Sequence, residues 1–302
     1  MAVTAMAQVI MNRGSGANNK VALSEEIETA FNAHGWQIEF IAAEGRDLQR
    51  RIRQTVSQAP GVIVVAGGDG TISAVAAACV ETKRPLGIVP AGTFNYIARN
   101  LGLPTTVAEA VSVIVAGRVR HIDSGEINGR LFLNNAGLGL YATMVERRER
   151  DKRRFGRRRL VAFASGLRCL FSPHPLYAVE LVADGQPVRR RTTTLFFGCN
   201  ALQLEYYSTA VAECVRHKKL AILSLQLRRR WEIALAACAA FLGRLDRVAT
   251  TESFCASAVR VQTRRRVLKV AIDGEVARLR PPLEVRFHPR ILQVFAPIGE
   301  PD

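Results

Sequence analysis

The chain has 302 residues, 48% of them hydrophobic, which is more apolar material than one core needs and predicts two domains. Forty-two Lys and Arg against 26 Asp and Glu leave a net charge of +16, a field that favours polyanions or anionic bilayer surfaces over neutral partners and says nothing about fold. The six cysteines (Cys79, Cys169, Cys199, Cys214, Cys238, Cys255) contain no CxxC pair and the five histidines no metal-ligand spacing, which argues against a structural zinc site and predicts reduced thiols in a cytoplasmic protein.

The first ten residues are a short apolar stretch with no basic start and no small-residue cleavage site, so they read as a first strand and not as a leader. Strand-like runs follow at Gln8 to Met11, Gln37 to Ile41, Val62 to Ala66 and Leu86 to Val89, separated by helical patterns at Val21 to Asn32, Asp47 to Ser57 and Thr71 to Val80. That alternation predicts an α/β nucleotide-binding domain, a parallel sheet with flanking helices, over residues 1–122. From Ile122 the pattern changes to short alternating runs at Ile122 to Ile127, Leu131 to Asn134, Ala178 to Val182, Thr192 to Phe197 and Leu220 to Leu225. A β-rich, mostly antiparallel second domain over 123–289 is expected, with a last strand in 290–297 returning to the first. Helical insertions interrupt it at Val145 to Phe171 and at Trp231 to Leu245. The second is the longest apolar candidate for a membrane span, but it contains Glu232 and Arg244 and is shorter than the roughly 20 residues a spanning helix requires.

Chemistry is expected beyond the carboxyl ends of the parallel strands. The run Val62 to Ala66 leads directly into Gly67-Gly68-Asp69-Gly70-Thr71 and then a helix. Three glycines in four positions allow left-handed backbone and bring N–H groups close to an anion, and the helix N-terminus adds partial positive charge. Asp69 would repel a bare phosphate, so it either holds Mg²⁺ or orders the loop. The next strand ends in Pro90-Ala91-Gly92-Thr93-Phe94-Asn95, where Thr93 and Asn95 can cap the following helix or bind phosphate or ribose. Asp273-Gly274 alone reads as a hairpin turn between Leu268 to Ile272 and Val276 to Leu279.

Taken together, the Gly67 to Thr71 turn, the Pro90 to Asn95 loop and Ile272-Asp273-Gly274-Glu275 resemble the motifs of the diacylglycerol kinase catalytic family, which includes bacterial lipid kinases and sphingosine kinases. Val9-Ile-Met-Asn12-Arg-Gly-Ser15-Gly16 resembles its first-strand motif, and Asp123-Ser-Gly-Glu with Phe132-Leu-Asn-Asn135 resembles its passage into the second domain. The resemblance implies an ATP-dependent lipid kinase that phosphorylates the hydroxyl of diacylglycerol or a related lipid. It implies ATP contacts at Asn12, Gly67, Gly68, Asp69, Gly70, Thr71, Ile72, Ser73, Gly92, Thr93 and Asn95, Mg²⁺ near Asp69, and Asp273 or Glu275 as acceptor of the lipid hydroxyl proton. The chain departs from the family at Ala42-Ala43-Glu44, where a nucleotide-contacting threonine is common, and at Tyr96, where an acidic residue is frequent. It also departs at Val215-Arg216-His217-Lys218-Lys219, where an Asp-Gly pair accompanies an accessory metal, and Arg216 and Lys218 cannot ligate one.

The stretch Glu146 to Arg159 carries nine basic residues within 147–159 against Glu146, Glu149 and Asp151, and leads into an apolar run. It reads either as a solvated charged helix or as peripheral contact with anionic lipid on the inner face of the membrane. Nucleic acid is the weaker partner, because no helix-turn-helix, zinc finger or RNP-like pattern accompanies the charge. An NAD kinase and a catalytically weak lipid- or nucleotide-binding regulator are the alternative functions, and the sequence carries no sign of oligomeric state.

Overall fold

The computed structural model describes residues 5–11, 20–42, 48–92, 95–155, 176–205, 209–227, 229–241 and 251–297. In chain order these form β1 (Met6–Met11), α1 (Lys20–Asn32), β2 (Gln37–Ala42), α2 (Leu48–Gln58), β3 (Val62–Gly67), α3 (Asp69–Thr82), β4 (Leu86–Pro90), α4 (Tyr96–Asn100), α5 (Val107–Val115) and β5 (Val119–Ile127). They continue with β6 (Arg130–Phe132), β7 (Asn135–Gly139), α6 (Leu140–Phe155), β8 (Tyr177–Ala183), β9 (Gln186–Thr192), β10 (Thr194–Gly198), α7 (Ala201–Glu205), α8 (Thr209–Arg216) and β11 (Leu220–Leu225). The last elements are α9 (Arg230–Phe241), β12 (Thr251–Ala256), β13 (Ala258–Thr263), β14 (Leu268–Ile272), β15 (Glu275–Leu279) and β16 (Leu283–Phe295). Two compact units result, residues 1–123 with 289–302 and residues 124–288, and the chain passes from one to the other within β5 and β16.

In the first unit the strands run β2-β1-β3-β4 in parallel, and the C-terminal part of β16 adds beside β4 at Val294. β3 and β4 are nearly continuous apolar runs because both faces of a parallel sheet are covered. Val9, Val64 and Val89 from the sheet pack against Ile27 and Phe31 of α1 and Val111 and Ile114 of α5. Arg84 closes the opposite end: its guanidinium donates to the carbonyls of Val56, Ala59 and Gly61, satisfying the last turn of α2. The limits of β1 to β4 and α1 to α3 lie within about two residues of those the pattern predicts, whereas α5 was not expected.

In the second unit an antiparallel sheet runs β12-β11-β10-β7-β14-β15, and a second antiparallel set runs from the N-terminal part of β16 through β13 and β8 to β9. Leu138, Phe197, Ile222 and Val270 lie in its core. The expected strand Leu131 to Asn134 is broken, because the N–H groups of Leu133 and Asn134 point at a carboxylate instead of a neighbouring strand. The expected Thr192 to Phe197 is also broken, since the Thr192 hydroxyl donates to Leu225 O and Thr194 O and turns β9 into β10. Helices α7 and α8 were not expected. Helix α6 begins earlier than the basic insertion predicts, and 156–171 lies outside the described residues.

The expectation of uniformly reduced thiols requires correction. Cys214 of α8 and Cys255 of β12, 41 residues apart in sequence with Cα atoms 5.3 Å apart, form a disulfide. Cys79 and Cys199 are buried thiols outside that disulfide, and burial pushes Cys79 up to about 12, far from a reactive thiolate. Among the described residues no helix is long and apolar enough to cross a membrane.

Gly139 sets the direction in which α6 leaves β7. Its φ is +81°, a Cβ there would lie 2.1 Å from the Thr193 carbonyl oxygen, and the next N–H, of Leu140, donates to that same oxygen at 2.8 Å. Gly139→Ala should therefore destabilise the protein by more than about 2 kcal/mol in urea unfolding, whereas Gly185→Ala, strained in φ but with open space around it, should cost about 1 kcal/mol.

Candidate functional site

β3 delivers the chain into Gly67 and Gly68, and α3 begins at Asp69. Gly68 is the N-cap in an extended conformation (φ −92°, ψ 176°), so it offers no side chain to the first-turn N–H groups. Its carbonyl accepts from Thr71 and Ile72 at 2.9 and 3.0 Å. The helix start therefore presents the Asp69 and Gly70 backbone at the end of a parallel strand without a side-chain cap, an arrangement suited to an anion. Of the predicted contact residues, Ile72 is fully buried with its N–H bonded to Gly68, and Ser73 is almost buried. These two belong to the body of the helix, while Gly67 to Thr71 form its mouth.

The second glycine loop meets the first directly. Ala91 N–H donates to Gly67 O at 2.9 Å, and a Cβ on Gly92 would lie 2.5 Å from Gly68 Cα. Glycine is required at Gly92, while a Cβ on Gly68 would make a tight contact of 3.2 Å with Gly92 Cα. Asn95 takes the left-handed conformation (φ 50°), and its Oδ1 accepts from Gly92 N–H at 2.9 Å, closing the loop from within. Asp69 Oδ1 accepts from the Ile97 N–H at 3.0 Å, which caps α4 from another loop. Of the two roles open to Asp69 on sequence, ordering the loop is thus realised by one oxygen. Asn12, Thr93 and Phe94 lie outside the described residues.

The second candidate cluster is the β14–β15 hairpin. Asp273 and Gly274 form its two-residue turn, both at positive φ (44° and 88°), as a hairpin of this length favours. The Asp273 carboxylate accepts from Leu133 N–H at 2.8 Å, Asn134 N–H at 2.9 Å and Asn135 N–H at 3.0 Å, and its own N–H donates to Asn135 O at 2.9 Å. Behind it lie buried amides. Asn135 Nδ2 donates to Gln203 Oε1 (2.7 Å), Tyr141 Oη donates to Asn135 Oδ1 (2.6 Å), and Asn200 Nδ2 donates to Asn134 Oδ1 (2.9 Å). The sequence pointed to Asn134 and Asn135 through Phe132-Leu-Asn-Asn135, but nothing in it singled out Tyr141, Asn200 or Gln203.

Glu275, one residue past the turn, is exposed and lines a recess of ≈ 520 Å³ with Glu146, Arg150, Lys269, Gly274, Val276 and Arg278. Glu146 of α6 accepts from Lys269 Nζ of β14 at 2.8 and 2.9 Å, and this hydrogen bond, with the charges of Lys269, Arg150 and Arg278, holds its carboxyl below the usual range against a smaller opposing effect of desolvation. The two carboxylates that the sequence left as equal candidates therefore differ. Asp273 is spent on three backbone donors, and Glu275 stands at the surface of a basic recess.

Among the described residues no group of three or more His, Cys, Asp or Glu is placed to hold a metal ion. Asp273→Ala should strip three N–H groups of a charged partner and lower the unfolding free energy by about 3 kcal/mol, while Glu275→Gln should leave thermal stability within about 0.5 kcal/mol of the parent. Differential scanning calorimetry of the two variants checks this.

Residues 6–127 match the family model described as diacylglycerol kinase catalytic domain. The chain is similar over 136 residues (32% identity, 44% of this chain and 44% of the relative) to a diacylglycerol kinase of Staphylococcus carnosus. Over 135 residues (37% identity, 42% and 44%) it is similar to a Pseudomonas syringae pv. syringae protein named "Probable lipid kinase YegS-like". It thus spans less than half the length of the curated relatives it matches. In three dimensions it resembles a solved structure described as a putative diacylglycerol kinase of Bacillus anthracis str. Sterne, with a TM-score of 0.73 over 97% of both chains at 19% identity, which shows a shared fold. The likeness to the diacylglycerol kinase catalytic domain is thus carried by residues 6–127 of this chain.

Proposed function

We propose that the protein is an ATP-dependent lipid kinase that transfers the γ-phosphoryl group to a lipid hydroxyl, with diacylglycerol or a related lipid as acceptor. The observation that carries this reading is the pair of glycine loops packed Cα against Cα at the uncapped start of α3. A side chain at Gly92 would strike Gly68 at the N-cap of the helix and force the two loops apart. With none there, the backbone of Gly68, Asp69 and Gly70 can lie against phosphate oxygens and neutralise part of their charge. Asn95, held at Gly92, keeps the second loop in that position.

Mg²⁺ fits the donors present. One carboxylate with phosphate oxygens and water is a common way of holding that ion, and Asp69 retains an oxygen beyond the one that caps Ile97. When bound, the ion would neutralise charge developing on the phosphates. Glu275 would take the proton of the attacking hydroxyl, and Asp273 would fix the turn that presents it. A membrane-resident acceptor implies peripheral contact with a bilayer.

The assay is Mg²⁺-dependent transfer of the ATP γ-phosphate to diacylglycerol and to sphingoid bases in mixed micelles, with NAD as a competing acceptor. Glu275→Gln should lower kcat by about 10²- to 10⁴-fold with KM for ATP unchanged. Asp69→Asn preserves an oxygen for Ile97 and removes the charge, so it should lose at least about 100-fold in transfer while melting with the parent. Phosphorylation of NAD in preference to lipid, or ATP binding without transfer to any acceptor, would overturn the reading.

A further inference from the structure

Helix α9 has an apolar face that the fold does not use. Ile233 and Ala236 are 6% and 5% exposed and pack into the core of their unit, whereas Trp231 and Leu235, one turn apart on the other side, are 58% and 50% exposed. Among the described residues the other exposed large apolar side chains, Val21, Val119, Met144 and Val267, sit singly elsewhere in the chain. Isolated exposed residues of that kind are ordinary, but a tryptophan and a leucine at i and i+4 form a continuous patch.

The charge beside the patch identifies what covers it. Arg228, Arg229 and Arg230 immediately precede Trp231, and Arg229 is exposed. The one acidic residue of the first turn, Glu232, accepts from Arg229 N–H at 2.9 Å and so serves as a cap to the helix start. Tryptophan carries an apolar body with a polar tip, arginine binds lipid phosphate, and the two adjacent suit the boundary between headgroups and acyl chains. Twelve residues of helix reach about 18 Å, too short to cross the roughly 30 Å hydrocarbon core, so such a helix lies in the plane of the interface. A net charge of +16 works against a second copy as occupant.

We infer that α9 docks the protein on anionic bilayers, with Trp231 and Leu235 inserted among the headgroups and the exposed Arg229 beside them paired to lipid phosphate. The surface is distinct from the basic stretch at 147–159. The inference rests on the lipid-kinase reading for its purpose alone, since a kinase of bilayer lipids must reach them.

The test measures binding to vesicles of phosphatidylcholine with and without phosphatidylglycerol, in the absence of ATP, by co-sedimentation and by tryptophan emission in a Trp36→Phe background that leaves Trp231 as the reporter. Emission should shift to the blue with anionic vesicles and little with phosphatidylcholine alone. Trp231→Ala combined with Leu235→Ala should weaken sedimentation at least tenfold, Arg229→Gln combined with Arg230→Gln should remove most of the dependence on phosphatidylglycerol, and Arg147→Gln combined with Arg148→Gln should change neither. Unchanged sedimentation of the Trp231/Leu235 variant overturns the inference, as does a dimer in sedimentation velocity that this variant dissolves. Transfer to a soluble short-chain diacylglycerol is measured on the same proteins: vesicle binding lost in the Trp231/Leu235 variant supports docking even where no protein transfers phosphate, and that second result falls on the kinase reading alone.

Discussion

Two loops of the first unit meet with no side chain between them. Gly68 and Gly92 approach so closely that a Cβ on Gly92 would fall 2.5 Å from Gly68 Cα, and much of the surrounding architecture is arranged to hold that approach. The Ala91 N–H bonds to Gly67 O, Asn95 closes its own loop onto Gly92, and Asp69 reaches across to the N–H of Ile97. Each of these bonds uses a backbone group that would otherwise need water or a ligand. The backbone at the start of α3 is left available because the residue that could cap it is glycine.

The second unit solves a similar problem with a charge. A two-residue turn puts Asp273 in a left-handed conformation, from which its carboxylate gathers three consecutive N–H groups at Leu133, Asn134 and Asn135. An ionised acceptor matches backbone donors more strongly than a neutral one. The cost is that β6 and β7 cannot be one strand. The buried amides of Asn134, Asn135, Asn200 and Gln203 are bonded among themselves and to Tyr141, so the polar core behind the turn is internally satisfied and specifies one arrangement. The fastening holds Glu275 at a defined place beside Lys269 and Arg278.

Such interactions separate positioning from chemistry in a way that composition cannot. Asp273 and Glu275 are carboxylates of one short segment and on sequence are equivalent candidates for the proton acceptor, while Asp69 is left between holding Mg²⁺ and ordering its loop. In the structure one oxygen of Asp69 is committed to a helix cap, Asp273 is committed to a turn, and Glu275 is exposed among cations. The disulfide between Cys214 and Cys255 belongs to the same class of fact: neither spacing nor count of the cysteines distinguishes it, because α8 and β12 come together only after β11 has paired with β12.

The amino-acid sequence by itself determined the α/β character of the first unit, the antiparallel texture of the second, the limits of β1 to β4 to within about two residues, and the glycine turns where a parallel strand meets a helix. Those properties follow from periodicity and from local backbone preference, which act over a few residues. Tertiary structure alone decided which groups each turn serves. The Asp69 bond joins residues 28 apart and the Asp273 bonds join residues 138 to 140 apart, so no local pattern encodes them. The exposed side of α9 was decided in the same way: every position of that helix but a few is apolar, and only packing shows that Ile233 and Ala236 face the core while Trp231 and Leu235 face out.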